Sequence, residues 1–397
     1  MGIEQGQKRI DTCDVLVVGA GLVGAAVAAR LTQEGLDTAI LEAQEIAGGA
    51  TGRSAGMVLT GLAGHYSSAI DVYGRETARQ IWALTTQGRD RLVETAERLG
   101  VPCQRTGSLA LATDEAAAGF LETSARQLQE DGFDVEFEPG DPLERDFRAV
   151  LRYPDDATVD AAALTRALIA QHDVLIHEGA EVYGLEAERG ARENGFEKGI
   201  RVWAHGRTVL CGAVVLAVNG YAPLINAYFA DKIAPTRSLV FATAPLDHVV
   251  LGQPCYTDYA DYADYGYTYC RQMPDRRLLV GGWRRPRIRS QEANQGRDEQ
   301  GPEELLQQGL VRFISRHFPD VPSARIDDAR RWSGIMGFTG NGFPLLGRLP
   351  DLPGVYFAVG LGGRGLAWAF VLAERIAEAV LHQADPTLDL PHKSRNP

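Results

Sequence analysis

Long apolar runs are missing from this chain of 397 residues. None approaches the roughly 18 residues a membrane-spanning helix needs, so no membrane partner is expected. Basic residues are outnumbered, with 40 Lys and Arg against 52 Asp and Glu and a net charge of -12. That balance speaks against a nucleic-acid partner, which would need a basic patch, and is compatible with a cationic small molecule. Cysteine is scarce: five copies (Cys13, Cys103, Cys211, Cys255, Cys270), odd in number, widely spaced and without a C-x-x-C. They read as mostly buried thiols in a reducing cytoplasm, and no metal site is expected. The polar, acidic segment from Met1 to Lys8 does not read as a secretory leader. What remains, 45% hydrophobic and 23% charged, is ordinary globular composition, long enough for two or three domains.

The strongest positive signal lies between Asp14 and Glu42. The apolar run from Val15 to Val18 reads as a buried parallel strand. Gly19, Gly21 and Gly24 follow at G-x-G-x-x-G spacing, and an alanine-rich helix is expected from Leu22 to Gln33, with a second strand ending at Glu42. Each glycine has a separate task. Gly19 permits the tight turn, Gly21 the approach of a pyrophosphate, and Gly24 the packing of helix on strand. The helix N-terminus offers unpaired N–H groups to phosphates. Glu42, about 20 residues on, is placed to accept from a ribose hydroxyl. Gly19, Ala20, Gly21, Leu22, Val23, Gly24, Glu42 and Ala43 are therefore expected to hold an adenine dinucleotide, NAD or FAD.

Further along, helical patterning covers about 73–99, and 108–113 reads as a hairpin-like piece followed by a polar helix to Glu130. The stretch from Glu136 to Pro142 reads as a loop. Asp160 is expected to cap a helix to about Gln171. Antiparallel alternation marks 181–186 and 199–203, and 214–218 is a continuous apolar strand ending at Asn219-Gly220. An acidic, Gln-rich linker is expected near 291–304. The last strand, 355–359, runs into Gly360-Leu-Gly-Gly-Arg-Gly365 and a final helix to about Leu381. That loop repeats the G-x-G-x-x-G spacing, but no further strand with a ribose-binding acid follows. It is expected to point at the cofactor held by the first turn.

Ala50-Thr51-Gly52-Arg53-Ser54-Ala55-Gly56-Met57 resembles the loop that passes the flavin in the D-amino-acid-oxidase-like (glycine/sarcosine oxidase) superfamily. Val215 to Tyr221 resembles that superfamily's strand ending beside the nucleotide, 332–347 its late tryptophan motif, and 360–365 its terminal loop. A narrower similarity, to gamma-glutamylputrescine oxidases, rests on 219–221, 232–235, 241–246, 269–271 and 277–282. The resemblance implies an α/β chain with a Rossmann-like FAD-binding domain of the glutathione-reductase type and a discontinuous α+β substrate domain with a mixed sheet. The FAD domain would take 1–88, 151–232 and 328–397, and the substrate domain 89–150 and 233–327. The cofactor contacts implied are Thr51, Arg53, Ser54, Ala55, Gly56, Met57, Val182, Asn219, Gly220, Gly334, Gly362, Gly363, Arg364, Gly365 and Leu366. Some sarcosine-oxidase-type members bind flavin through a cysteine in the late motif. No cysteine follows Cys270 here, so non-covalent FAD is expected.

The implied chemistry is amine oxidation, hydride leaving the carbon beside nitrogen for the flavin, with O2 or another electron acceptor as partner. Arg364 reads either as a charge beside the flavin's pyrimidine edge or as a solvent-facing arginine. His65 reads as a pocket residue or as structural. Tyr265, Tyr267, Tyr269 and Arg271 alternate along a strand and share one face, either an ordinary sheet face or a wall over the flavin. The run from Tyr256 to Tyr265, with Asp258, Asp261 and Asp264, is a cation cage or a solvated loop. Relatives acting on small α-amino acids commonly carry arginine four positions after the motif tryptophan; here Met336 stands there, which favours an amine. The expected substrate is a polyamine derivative such as gamma-glutamylputrescine. Alternatives are a dehydrogenase passing electrons to a quinone or carrier, an amino-acid, sarcosine or glycine oxidase, or a protein with a structural flavin. A homo-oligomer is left open.

Overall fold

The computed structural model describes residues 10–188, 199–257, 267–284, 300–327, 329–388 and 390. Its first sheet is built around Ile10–Val18, which runs parallel to Thr38–Leu41 on one side and to Arg207–Leu216 on the other. Leu175–His177 and Leu352–Val359 extend this parallel set outward. The continuous apolar run is explained by two covered faces. Val15 and Val17 join one core, with the helix Leu22–Gln33, while Leu16 and Val18 join another, with Ile200, Phe229 and Ile233. The terminal helix Gly365–His382 packs beside Leu22–Gln33 and against the long helix Arg75–Arg98. A Cβ at Gly88 would lie 1.9 Å from Ala367 O, so the close crossing of these last two helices requires glycine.

The second sheet runs in the order Arg330–Thr339, Ile233–Ala242, Leu278–Arg284, Thr268–Gln272, Cys255–Thr257, Ser108–Ala112, Ala149–Tyr153, Glu136–Pro139. Period-two alternation gives it two different faces. Leu239, Phe241, Cys255, Cys270, Leu278 and Val280 bury against Leu310, Phe313 and Ile314 of the helix Gln300–His317. Val240, Tyr256, Tyr267 and Leu279 turn the other way and share a core with the first sheet's helices. A small third sheet joins Met57–Val58, Ala157–Val159 and Cys103–Gln104. The architecture is α/β with a Rossmann-like parallel sheet, as expected.

Several local expectations are corrected. The helix expected over about 73–99 is present as Arg75–Arg98; what was not expected is a further helix before it, Tyr66–Tyr73, separated from it by Gly74 at φ +85°. Ser108–Ala112 forms no local hairpin; its partners are Ala149–Tyr153 and Cys255–Thr257, far away in sequence. The presumed loop at 136 contains the strand Glu136–Pro139, an edge strand, where proline's missing N–H is tolerated. Loop 47–57 contains one helical turn, Ala50–Arg53. From Gln300 the expected linker is already helix. Its earlier part, and the Tyr/Asp residues 258–266, lie outside the described residues.

Candidate functional site

The parallel strands deliver their carboxyl ends to one edge, where α/β sheets bind ligands. Gly19 N donates to Leu41 O at 2.8 Å and Ala217 N to Val18 O at 2.9 Å, so three strand ends meet at the first turn. Gly19 has φ +104°, and a Cβ there would lie 2.8 Å from Ala217 O; at Gly24 it would lie 1.9 Å from Gly19 O. Gly21 opens the helix Leu22–Gln33, whose first turn holds no acidic residue. Leu22 N donates to Thr51 Oγ1 at 3.1 Å, placing Thr51 at that N-terminus. Glu42 accepts from Ala20 N (2.8 Å) and Gln44 N (2.9 Å), fixing its carboxylate beside the turn with lone pairs to spare. Ala180 N donates to Glu42 O at 2.8 Å, bringing the start of Val182–Glu188 alongside, and Ala43 is exposed there.

The loop after Ala47 crosses from this turn toward the second sheet. Arg53 Nε donates to Gly48 O (2.9 Å) and its Nη1 to Ser333 O (3.1 Å), while Trp332 Nε1 donates to Arg53 O (3.0 Å). These bonds tie the loop to Arg330–Thr339, with Gly334 facing the Arg53 side chain. Ser54 Oγ donates to Thr51 O (2.9 Å) and accepts from Gly56 N (3.2 Å). Gly56 has φ +66°, and a Cβ there would meet Val159 O at 2.1 Å. Asn219, with φ +47°, accepts from Leu361 N at 3.0 Å through Oδ1, linking the turn after Arg207–Leu216 to the terminal glycine loop. Gly220 lies against Met336 and Gly337; a Cβ on it would be 3.0 Å from their backbone atoms.

The strand Arg330–Thr339, at the edge of the second sheet, is half-exposed from Trp332 to Met336. Gly362–Arg364 forms a turn of 3₁₀-helix before Gly365–His382; Gly363 is exposed, Gly365 and Leu366 half-buried. Arg53, Arg271 and Arg364 make no ion pair within 4 Å among the described residues, whereas most other arginines are paired. A glycine turn whose backbone a Cβ would strike, a helix N-terminus without acid, and the Arg53 guanidinium suit a phosphorylated dinucleotide.

The second sheet supplies the opposite wall. Tyr267 and Tyr269 lie with ring centroids 6.2 Å apart, and Tyr256 stacks on Tyr267 at 5.7 Å. The Tyr269 ring lies where a Cβ on Gly281 would be, 2.3 Å from the phenol oxygen. Tyr267 is held at φ +37°, a conformation that costs a tyrosine energy and often marks a functional site. Arg271 donates from Nη1 to Ala55 O at 2.8 Å, and burial holds its guanidinium below the ordinary arginine range. Tyr267, Tyr269 and Arg271 thus share a face, directed at the Ala50–Gly56 loop through Arg271. His65 instead heads the helix Tyr66–Tyr73 and stacks on the exposed Phe120 at 5.9 Å.

Arg364 is buried, not solvent-facing. Its guanidinium donates to Thr60 O and lies 4.6 Å from the centre of the Tyr256 ring. Behind it sits Asp156, fully buried, accepting from Thr60 N (3.0 Å), Thr60 Oγ1 (2.7 Å) and Ser108 Oγ (2.7 Å). Burial pushes the Asp156 carboxyl up, and the Ser108 and Thr60 hydrogen bonds oppose that. Arg89 donates to Thr60 Oγ1 at 3.1 Å. Burial also pushes the Tyr153 phenol up to about 12. Thr60, Arg89, Ser108, Tyr153 and Asp156 carry no motif or periodicity that marks them; only the fold brings them together. No helix among the described residues is long and apolar enough to cross a membrane, and none of their His, Cys, Asp and Glu side chains group in threes to hold a metal.

The family profile described as DAO, FAD dependent oxidoreductase, matches residues 14–379. Gamma-glutamylputrescine oxidoreductase of Escherichia coli (strain K12) is 27% identical over 395 residues, covering 96% of this chain and 87% of its own. Glycine oxidase of Bacillus licheniformis is 24% identical over 386 residues, covering 94% of each chain. The structure of glycine oxidase from Geobacillus kaustophilus superposes with a TM-score of 0.75 at 22% identity, covering 97% of this chain and 99% of that one. L-proline dehydrogenase from P. horikoshii superposes with a TM-score of 0.72 at 20% identity, covering 96% of each.

Proposed function

Because this chain belongs to the DAO family of FAD dependent oxidoreductases, we propose that it oxidises the C–N bond of an amine, with gamma-glutamylputrescine or a related polyamine derivative as substrate. The observation that carries this reading is the tyrosine face of Tyr267 and Tyr269, joined through Arg271 to the Ala50–Gly56 loop. It is supported by the name of the Escherichia coli relative and by Met336 at the position where α-amino-acid oxidising relatives commonly carry arginine. FAD, when bound, supplies the acceptor for the hydride that leaves the carbon beside the amine nitrogen.

The chain's own residues supply binding and electrostatics. The turn Gly19–Gly24, with Thr51 and Glu42, would hold the adenosine diphosphate half, and Arg53 and the loops at Asn219 and Gly362 the flavin half. The unit holding it is 1–88, 151–232 and 328–397; the tyrosine wall belongs to 89–150 and 233–327. A wall of phenol rings desolvates an incoming ammonium group and favours its neutral form, the form with a free electron pair. The N-terminus of Gly365–His382, which has no acidic residue in its first turn, would favour negative charge on the bound flavin. The product imine hydrolyses to a carbonyl compound, and O2 is the acceptor we assign, giving hydrogen peroxide.

The test is to mix purified holoenzyme, without air, with gamma-glutamylputrescine, putrescine, sarcosine, glycine and D-alanine. The expected outcome is loss of the yellow absorbance with gamma-glutamylputrescine, then peroxide on admitting air. Bleaching by glycine or D-alanine alone would reject the substrate; bleaching without peroxide would make it a dehydrogenase.

A further inference from the structure

The geometry points to Arg364 as a positioning residue that sets the tyrosine wall from behind. Four segments distant in sequence connect to it, two directly and two through these. Its guanidinium is bound to Thr60 O, so it is locked to the end of the loop that begins at Ala47. Thr60 is in turn fixed by Asp156 through two hydrogen bonds of 3.0 and 2.7 Å. The guanidinium centre stands 4.6 Å from the Tyr256 ring centre. Tyr256 stacks on Tyr267 at 5.7 Å with an interplanar angle of 23°, and Tyr267 borders Tyr269. The path runs from the terminal glycine loop, through one cation and one ring, to the face that meets the substrate.

Three features separate this from an ordinary structural arginine. Arg364 is 5% exposed yet has no carboxylate within ion-pair distance among the described residues, and there its guanidinium meets a carbonyl and a ring face. Its Nε has no hydrogen-bond partner among the described residues; a group placed for stability alone would more often be fully satisfied. It immediately precedes Gly365, the first residue of the terminal helix, so its side chain and the loop Gly360–Gly363 cannot shift independently. A planar guanidinium over a phenol, desolvated, is a directional contact that an ammonium or an apolar side chain does not reproduce. Arg364 therefore acts through Tyr256 and Tyr267, without itself touching the reacting atoms.

The test is a double-mutant cycle in the holoenzyme: Arg364→Met, Tyr256→Leu and both together. Two readouts are taken, hydrogen exchange of the backbone and KM and kcat for whichever amine bleaches the wild type. In Arg364→Met, faster exchange is expected in Cys255–Thr257 and Thr268–Gln272 with Ile10–Val18 unchanged, and KM is expected to rise about tenfold with a smaller change in kcat. The double variant should resemble either single one. Unaltered exchange in those two strands, or additive effects on KM, would overturn the proposal. If Arg364→Met does not fold, Arg364→Lys replaces it: it keeps the charge and loses the plane, and wild-type exchange and KM in it would equally overturn the proposal. The exchange readout needs no substrate, so a wild type inert to every amine rejects the proposed function and leaves this inference to be decided on its own.

Discussion

Gly24 shows how one hydrogen atom decides the geometry of the first turn. A methyl group in its place would lie 1.9 Å from Gly19 O, well inside contact distance, so the turn and the helix cannot both keep their places. Gly24→Ala is expected to be purified colourless, checked by the ratio of visible to ultraviolet absorbance. Arg53 works by different physics. Its guanidinium bridges Gly48 O and Ser333 O and makes no ion pair among the described residues, so it both ties the loop after Ala47 to the second sheet and leaves a positive charge there. Arg53→Met is expected to weaken FAD binding about tenfold, the size of one charge-assisted contact, measured by fluorescence titration of the apoprotein.

At the scale of elements, caps and buried polar groups carry the consequences. Asp160 Oδ1 accepts from Ala163 N at 2.9 Å and starts the helix Ala161–Gln171 as its N-cap. Asp160→Ala is expected to cost about 1 kcal/mol, seen as a lower denaturation midpoint with unchanged slope. The helix Gln300–His317 ends on a fully buried imidazole, stacked 4.3 Å from Phe147, with Nδ1 2.7 Å from Arg145 O. Burial holds His317 below its usual 6.5, with Arg316 adding to the effect and the Arg145 carbonyl, Asp146 and Asp141 opposing it. The unfolded chain therefore binds a proton at His317 before the folded protein does. Its contribution is intact above pH 6.5 and is lost as pH falls from there through the folded value. His317→Phe is expected to flatten the fall of melting temperature below that pH.

For the whole molecule, the two faces of the second sheet decide how the halves work together. One face packs on Gln300–His317 and is closed; the other puts Tyr256 and Tyr267 into the core shared with the first sheet's helices, with Tyr269 packed against it. Four of the five cysteines fall into cross-strand neighbours, Cys13 beside Cys211 and Cys255 beside Cys270, all as free thiols, and none lies in the late tryptophan motif. FAD is thus expected to be released intact by heat or acid; flavin absorbance left in the precipitate would mean a covalent bond. The first turn was legible because its glycines are needed locally, and Asp160 because a cap is a local device. Ser108–Ala112 was misread because its partners, Ala149–Tyr153 and Cys255–Thr257, lie far away in the chain, and Glu136–Pro139 because turn-forming residues masked an edge strand.

Sequence alone determined the parallel strand, the glycine turn after it and the acid beyond it, because each is imposed by backbone sterics and hydrogen bonding over a few residues. It also placed Tyr269 and Arg271 on one face, since alternation is a property of any strand; Tyr267, at φ +37° just before the strand, is set by its packing on Tyr256. Tertiary structure decided what that face meets, that Arg364 is turned inward onto Thr60 and Tyr256, and that Asp156 is buried behind it. Those placements depend on which distant elements pack together, and packing is governed by the shape and burial of the whole core, not by any pattern within one segment.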